Sequence, residues 1–501
     1  MLAALCLSIL SSVVTRPLPP EPNSPAADKK ALQAIEAYLE RCEFFGWSGA
    51  ILIEEKGRVV LHRGFGEADR AKGIPCEVDT VFEIASVTKP FTACAILALV
   101  EDGKIDLDES IAEYLPGVPE ARKNITVRHL LSHTSGMGRS QGVTTGTDLE
   151  AAVESAFAEA PLQEPGIAYE YWNQGYALLA GLIDHVTEEG YLDFLRHRLF
   201  AKAELGATGF TGDDLWPLEK QAIGYSGDTP LRHAAEHPYG AYDYRYRGMG
   251  GIVTNVEELW KLARAALDGE LLKKSTTRDM LKEDGVIGPL GWRIMRSVRG
   301  DRQIWHGGDV EGFHTTVDCY PDNDAAVVVF SSSTEVHSFK IARSVASLLL
   351  SDGREVQGPP AIVRWKSNVL AKCEGKYGDG QGITLVVRAV GPGLEVTGGD
   401  DGGKALLLRR ADKDPAKEVV VPERVPRMRF AVADDSPAKG TSRSKVGKPS
   451  GDEVFRTHIW ARYQATSIVP TLRFEPNMRS PETLILEIPD IGEYHLKKQS
   501  D

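Results

Sequence analysis

The sequence predicts an α+β fold: an antiparallel β-sheet flanked by helices, an all-helical lobe beside it, and a smaller β-rich domain after it. Three observations predict this fold. Strand-like runs occur early and late in the first 350 residues, and mostly helical patterns lie between them. Beyond Gly358-Pro-Pro360, short β-like runs are separated by Gly, Pro and Asp clusters, which indicates a separate domain that could close as a barrel.

The first elements are a helix and a hairpin. Apolar residues recur on one helical face between residues 27 and 42. Two strand-like runs then follow at 48–55 and 58–66, and the turn pair Lys56-Gly57 joins them. A hydrophobic helix is predicted to start at Ser86 and to end at Gly103, which can adopt a left-handed conformation.

The middle of the chain predicts helices. Thr147-Asp-Leu-Glu150 resembles a capping box that opens one helix, and an apolar stripe over 179–186 indicates another. Asn255 is predicted to cap a third helix. Strands then return before a closing helix at 335–350. These late strands are predicted at 290–297, 303–306, 314–320 and 325–331, with a turn at 321–324.

We expect three segments in the chain. Residues 1–26 are an apolar stretch and a Pro-rich linker of the kind that follows an export signal, so we expect a periplasmic or extracellular protein. Residues 27–353 form the α+β domain and 354–501 the β-rich domain. In the latter, strands are expected at 383–389, 405–409, 419–421, 455–462 and 483–488, with a flexible loop at 436–451.

Composition excludes several function classes. The chain has 501 residues, 42% of them hydrophobic, and a net charge of −13, which argues against nucleic acid or anionic lipid as the main partner. No segment is long and apolar enough for a stable membrane span. The six cysteines are scattered and do not indicate a disulfide framework. Nothing in the sequence predicts a particular oligomeric state.

Ser86-Val-Thr-Lys89 is the most informative motif. A hydroxyl needs a base to become a nucleophile, and residues three apart on a helix share a face, so Lys89 can reach the Ser86 oxygen. The helix start favours negative charge that develops there. Ser-x-x-Lys also occurs at Ser436 and Ser442, in a Pro, Gly, Ser and Lys stretch without apolar periodicity. Alone, the motif is also compatible with an N-cap serine and a surface lysine.

Tyr171-Trp-Asn173 precedes a predicted helix. A tyrosine near a lysine can share a proton, and an asparagine amide offers a donor and an acceptor to a substrate. The alternative is an aromatic cluster at a helix start.

The run His306-Gly307-Gly308-Asp309 ends a β-like segment. Its glycines let a substrate backbone lie close to an edge strand, and a main-chain N–H beyond them could form half of an oxyanion hole with the Ser86 N–H. The alternative is a glycine-rich hairpin with an incidental histidine.

No metal or cofactor is predicted. His129 and His133 are four apart, yet Ser132 and Gly136 break the helix there, so structural or loop roles are favoured.

Taken together, these residues resemble the serine hydrolases that share a fold with class C β-lactamases, DD-peptidases, D-aminopeptidases and family VIII esterases. The resemblance runs from about Trp47 to Leu350. It rests on Ser48-Gly-Ala-Ile-Leu-Ile, Asp79-Thr-Val-Phe82, Ser-Val-Thr-Lys, Ile125-Thr-Val-Arg-His-Leu-Leu-Ser-His-Thr-Ser-Gly-Met137, Tyr-x-Asn, Gly248 to Leu259 and His-Gly-Gly.

The resemblance implies roles for these residues. Ser86 becomes the acylated nucleophile and Lys89 its proton acceptor, while Tyr171 relays the proton and activates the deacylating water. Whether Lys89 or Tyr171 is the main base stays open. Asn173 binds the substrate amide and orients Lys89. Of the His-Gly-Gly run, His306 adds positive or polar character to the site wall, Gly307 and Gly308 let the substrate approach, and the Asp309 N–H matches the second oxyanion donor.

Departures from the family pattern bear on the substrate. Where β-lactamases of this fold carry Lys-Thr-Gly, this chain has His-Gly-Gly. It therefore lacks a permanent cation and a hydroxyl that help to hold a substrate carboxylate. Bulky Trp172 is expected to narrow the cleft. Residues 370–377 resemble the start of a lipocalin-like barrel, although Cys373 replaces an aromatic residue.

We therefore expect a metal-independent serine hydrolase that forms an acyl-enzyme on a small-molecule or peptide amide or ester, of peptidase or esterase type. A weak β-lactamase or DD-carboxypeptidase is the alternative within the class. The alternative of another class is a non-catalytic protein that binds peptides or cell-wall fragments.

Overall fold

The structure is a computed structural model. It describes residues 29–138, 146–187, 189–297, 300–350, 356, 359, 370–378, 384–390, 393–398, 428–432, 455–457, 471–477, 480–488 and 492–499. The predicted export segment at 1–26, the strands at 405–409 and 419–421 and the loop at 436–451 lie outside these residues, so export remains a prediction.

The centre of the first domain is a six-stranded, wholly antiparallel sheet. Its strands are β1 (Gly49–Glu55), β2 (Arg58–Phe65), β10 (Arg293–Arg296), β11 (Arg302–Val310), β12 (Phe313–Tyr320) and β13 (Ala325–Ser331). They lie in the order β10-β11-β12-β13-β1-β2, so the first hairpin joins the late strands through the β1 and β13 pair. The predicted division of the sheet between early and late chain segments is confirmed.

Helices pack against the two faces of this sheet. The helices are α1 (Lys29–Phe44), α2 (Thr88–Glu101), α3 (Val127–Leu131), α4 (Leu149–Ala156), α5 (Asn173–Val186), α6 (Tyr191–Leu195), α7 (Val256–Leu267), α8 (Lys274–Met280) and α9 (Ser338–Leu350). Helices α1 and α9 cover one face, where their apolar side chains pack on Ile51, Val327 and Val329. The other face shares a larger core with α2, α5 and α7.

Short strands connect these elements. They are β3 (Glu67–Asp69), β4 (Ile74–Pro75), β5 (Phe82–Glu83), β6 (Gly209–Phe210), β7 (Ile223–Ser226), β8 (Thr229–His233) and β9 (Ile252–Thr254). Strand β9 pairs with β5, which directly precedes the Ser86 segment. This pairing holds residues 252–254 beside the start of α2.

The described C-terminal residues form eight strands. They are β14 (Gly375–Gly378), β15 (Thr384–Val390), β16 (Gly393–Gly398), β17 (Met428–Val432), β18 (Phe455–Thr457), β19 (Thr471–Asn477), β20 (Ser480–Ile488) and β21 (Gly492–Lys498). Each pairs antiparallel with the next, and β21 also pairs with β14. The predicted β-rich character of this region agrees with the structure.

Several local predictions are confirmed and others are wrong in detail. The turn pair Lys56-Gly57 has φ of 53° and 70°, as a tight hairpin requires, and Gly103 follows α2 with φ of 69°. The cap of α4 is Asp148 and not Thr147, because the Asp148 carboxylate accepts from the Ala151 N–H. Strand β10 is shorter than predicted.

Strand β11 is longer than predicted and contains the whole His306-Gly307-Gly308-Asp309 run, because it pairs residue by residue with β12. In the part of the chain that the structure describes, no helix has both the length and the apolar character needed to cross a membrane.

Candidate active site

Ser86 lies in a short 3-10 turn, Ala85–Val87, that leads into α2. Ala85 has φ of 47°, a left-handed conformation that is unfavourable for a residue with a Cβ and that is often found at functional sites. Between residues 80 and 99, Ser86 is the one residue that is not buried. The turn therefore leaves Ser86 partly exposed while the surrounding segment is buried.

Lys89 is fully buried in the first turn of α2. Its Nζ lies 3.0 Å from Ser86 Oγ and donates to the Met249 carbonyl at 2.9 Å. Burial lowers the pKa of Lys89 well below its usual range, and the positive charge of Arg293 lowers this pKa further. Both effects favour the neutral amine, and in this geometry Lys89 Nζ donates to the Met249 carbonyl and to Ser86 Oγ.

Tyr171 is the third member of the cluster. Its phenol shares a hydrogen bond with Ser86, and Lys89 Nζ lies 5.1 Å from its ring centroid. Burial raises the pKa of Tyr171, while the Ser86 hydrogen bond and the charge of Arg293 lower it. The structure thus brings Ser86, Lys89 and Tyr171 together.

His133 supports Tyr171. Its ring centroid lies 4.5 Å from that of Tyr171, and its Nδ1 accepts from the Trp172 N–H at 3.1 Å. Burial lowers the pKa of His133 well below its usual value, and so do Lys89, His306 and Arg293. A neutral ring can accept this hydrogen bond, so His133 holds the backbone next to Tyr171. Sequence reasoning favoured a structural role for His133 without relating it to the site.

His129 has a separate structural contact, because its Nδ1 accepts from the Thr126 N–H at 3.1 Å and completes the cap of α3.

Arg293 is a site residue that sequence reasoning missed. Its guanidinium lies 5.1 to 5.6 Å from the ring centroids of Tyr169, Tyr171 and Trp305. It also hydrogen-bonds the Tyr169 hydroxyl. Among the residues that the structure describes, no carboxylate pairs with it. It lies on β10, more than 100 residues from Ser86, Lys89 and Tyr171, and no local motif marks it.

Strand β11 approaches the Ser86 turn closely at Gly308. A Cβ at this position would lie 2.1 Å from the Ile84 carbonyl oxygen, whereas the nearest atom to a Cβ at Gly307 would be 3.5 Å away. Steric crowding therefore requires glycine at position 308 but not at position 307. The two glycines of the predicted motif differ in this respect.

His306 is 3% exposed and adds polar but not positive character. Its Nδ1–H donates to the Gly307 carbonyl at 2.9 Å, since a carbonyl can only accept. Burial lowers the pKa of His306 well below its usual value, and the neighbouring Lys89 and Arg293 side chains act in the same direction. This agrees with the polar character that the resemblance implies for His306, and a positive charge beside Tyr171 comes from Arg293.

The remaining predicted residues lie near this cluster. Asn173 is the first residue of α5 and is half-buried, and Asp309 follows Gly308 in β11. Their roles stay predictions. Trp172 does not narrow the cleft as expected. It is 2% exposed, and its Nε1–H donates to Gln174 Oε1 at 2.9 Å, so it packs inside the helical lobe.

Comparison with known proteins identifies the class. The Beta-lactamase family model matches residues 33–350, which is more than half of the sequence, so the chain belongs to the beta-lactamase family. It is 25% identical to penicillin-binding protein 4* of Bacillus subtilis over 365 residues, which are 68% of this chain and 80% of that protein.

Two solved structures are similar to this chain. A D-amino acid amidase from Ochrobactrum anthropi, solved with D-phenylalanine, is 25% identical with a TM-score of 0.54, over 64% of this chain and 98% of that one. The octameric penicillin-binding protein homologue of Pyrococcus abyssi shares the fold over 94% of this chain and 99% of its own, with a TM-score of 0.57 and 19% identity. These matches are consistent with a serine hydrolase that acts on amides or esters.

Gly308→Ala is expected to destabilise the protein by roughly 1–3 kcal/mol, the usual cost of overpacking, because its Cβ meets a backbone oxygen. Gly307→Ala is the matched control and should change stability by less than about 1 kcal/mol. Thermal unfolding of the purified variants measures both. Equal effects at the two positions would contradict the close approach of β11 to the Ser86 turn.

Proposed function

We propose that the chain is a serine hydrolase that forms an acyl-enzyme on Ser86, with Lys89 as proton acceptor and Tyr171 as proton relay. The observation that carries the proposal is a fully buried amine 3.0 Å from a partly exposed hydroxyl that also hydrogen-bonds a phenol. Burying an amine is costly, and a structural role would not need it beside a nucleophile.

The first chemical step is acylation. The Ser86 oxygen attacks the substrate carbonyl as its proton passes to the neutral amine of Lys89. The developing oxyanion is stabilised by the N–H groups of Ser86 and Asp309, at the positive end of α2. The leaving group takes a proton through Tyr171, which then helps to activate the water that hydrolyses the ester. Asn173 binds the substrate amide.

Arg293 bears on the substrate class. The His-Gly-Gly run lacks the cation of the Lys-Thr-Gly pattern, but a guanidinium held among three aromatic rings lies beside Tyr171. Arginine presents a planar fork of donors that matches a carboxylate. We infer that this residue binds a substrate carboxylate, which favours a peptidase acting next to a free carboxylate over a simple esterase.

The domain division also belongs to this proposal. We propose that residues 27–353 carry the hydrolase activity and that residues 354–501 form a lipocalin-like barrel. The family match to residues 33–350 and the pairing of β21 with β14 support this division.

Intact-protein mass spectrometry after exposure to a fluorophosphonate, a β-lactam and a p-nitrophenyl ester tests the nucleophile. We expect one adduct on the wild-type protein and none on Ser86→Ala. Lys89→Met should abolish acylation, and Tyr171→Phe should slow turnover at least about a hundredfold, the usual contribution of positioned acid-base catalysis.

Absence of any adduct would favour the non-catalytic binding protein. An adduct that persists in Ser86→Ala would identify a different nucleophile. Unchanged rates in Lys89→Met or Tyr171→Phe would contradict the roles given to these side chains.

The rate of acylation should rise with pH as Lys89 loses its proton, with a midpoint well below the usual lysine pKa. Arg293→Gln removes a positive charge that disfavours the ammonium form, so the Lys89 pKa should rise and the ascending limb should move to higher pH. Arg293→Lys keeps the charge and serves as the control. Stopped-flow acylation by a neutral p-nitrophenyl ester measures the ascending limb of the pH–rate profile. A shift of this limb to lower pH in Arg293→Gln would contradict the effect of Arg293 on the Lys89 pKa.

Arg293→Gln should also lower kcat/KM for a peptide with a free terminal carboxylate by at least about tenfold more than for the same peptide as its amide. The difference arises because the charge-assisted pair is lost only with the first substrate. The ratio of the two kcat/KM values in wild type and variant is measured at one pH. An equal loss of kcat/KM for both peptides would contradict carboxylate binding by Arg293 and would leave only its effect on the Lys89 pKa.

A further inference from the structure

A second cluster of chemically reactive side chains lies at the β11–β12 hairpin. It consists of Asp309, His314 and His337, whose potential metal-ligating atoms all lie within 4.8 Å of one another. Asp309 and His314 are directly paired across the hairpin, and His337 immediately precedes α9. The cluster therefore joins two adjacent strands of the sheet to the start of the helix that covers them.

The cluster faces away from the candidate active site. Successive side chains of a strand point to opposite faces, so Asp309 and His306 are on opposite sides of β11. Thr316, two residues after His314, hydrogen-bonds Ser338 of α9 at 2.8 Å, which places this face of β12 under α9. The cluster is thus separate from the Ser86 cleft, although Asp309 belongs to the strand that borders it.

The hydrogen bond of His314 determines its tautomer. Its Nε2 lies 3.0 Å from the Thr334 carbonyl oxygen, which can only accept, so Nε2 carries the proton. In the neutral ring, Nδ1 then has a lone pair, and it faces Asp309 Oδ1 at 3.5 Å. Metal-bound histidine usually donates its other ring N–H to a carbonyl or carboxylate in this way, which orients the imidazole.

The distances and burial suit a small cation. Ligands on tetrahedral zinc lie about 3.3 Å apart, given bond lengths of about 2.0–2.1 Å, and the Asp309 to His314 distance of 3.5 Å is close to this value. The two imidazole rings are 4.2 Å apart and almost fully buried. The Asp309 side chain is 49% exposed, which leaves a route from solvent and a fourth position for water.

We propose that Asp309, His314 and His337 bind a zinc ion. Two imidazoles and one carboxylate suit zinc, whereas calcium and magnesium prefer six or more oxygen ligands. The ion would tie the hairpin to the start of α9 and so hold the strand that carries Gly308 and the Asp309 N–H. No short motif marks this site, because its ligands come from β11, β12 and the residue before α9. The sequence accordingly predicts no metal.

Isothermal titration of the metal-free, full-length protein with zinc chloride tests the proposal. We expect one zinc ion per chain at this site, and at least tenfold weaker binding in His337→Gln and in Asp309→Asn. His337 is buried, so His337→Gln can impair folding. Asp309 is half-exposed, so Asp309→Asn tests zinc binding without this problem. Zinc should raise the thermal unfolding midpoint of the wild type more than that of either variant.

His197→Ala is the matched control, because it removes an exposed histidine 2.9 Å from Glu189 and should leave zinc affinity unchanged. Titration with magnesium chloride should show no binding at the same concentrations. Equal zinc affinity in wild type, His337→Gln and Asp309→Asn, or no binding up to 1 mM zinc as an approximate upper limit, would overturn the proposal. None of these readouts depends on hydrolysis, so their failure is distinguishable from failure of the proposed function.

Discussion

The candidate site depends on keeping the Lys89 amine uncharged inside the protein. Helix α2 is buried around almost its whole circumference, so the amine near its start has no solvent-exposed surface. A charged ammonium there would lose its hydration and would also face the guanidinium of Arg293. The Met249 carbonyl accepts one N–H of the amine and holds Nζ 3.0 Å from Ser86 Oγ. The same low-dielectric surroundings strengthen hydrogen bonds to a developing oxyanion.

Close approach of backbone segments is the second constraint. Strand β11 lies so near the Ser86 turn that Gly308 has no room for a side chain, and the left-handed Ala85 turns the chain so that Ser86 alone faces the cleft. Because β11 alternates its side chains, it contributes His306 to the cleft and Asp309 to the opposite face. One strand thereby links the candidate active site to the proposed zinc site.

The distribution of charge explains how the site can differ from the Lys-Thr-Gly pattern. Burial lowers the pKa of His306 well below its usual value, and the nearby guanidinium of Arg293 acts in the same direction, so the neutral imidazole is favoured. Arg293 carries the positive charge instead, and it is held by aromatic rings and by the Tyr169 hydroxyl. It can therefore lower the Lys89 pKa in the free protein and still receive a carboxylate from a substrate.

Local spacing made some parts of the molecule predictable. The three-residue separation of Ser86 and Lys89, the Lys56-Gly57 turn and the strand pairs around residue 321 depend on neighbours along the chain, and the structure agrees with each. The observed N-cap of α4, Asp148, lies one position after the predicted Thr147, because both residue types are suitable caps. Trp172 was misread because its burial depends on the packing of the helical lobe.

The α+β class, the antiparallel hairpins, the β-rich end and the pairing of a serine with a lysine one turn away follow from residue patterns along the chain. Packing in three dimensions was needed to place Arg293 beside Tyr171, to show that His133 supports Tyr171 and that Gly308 and not Gly307 is sterically required, and to bring Asp309, His314 and His337 together. Each of these depends on residues distant in sequence that meet through the sheet order and the burial of α2. Such contacts set charge states and distances that no local spacing contains.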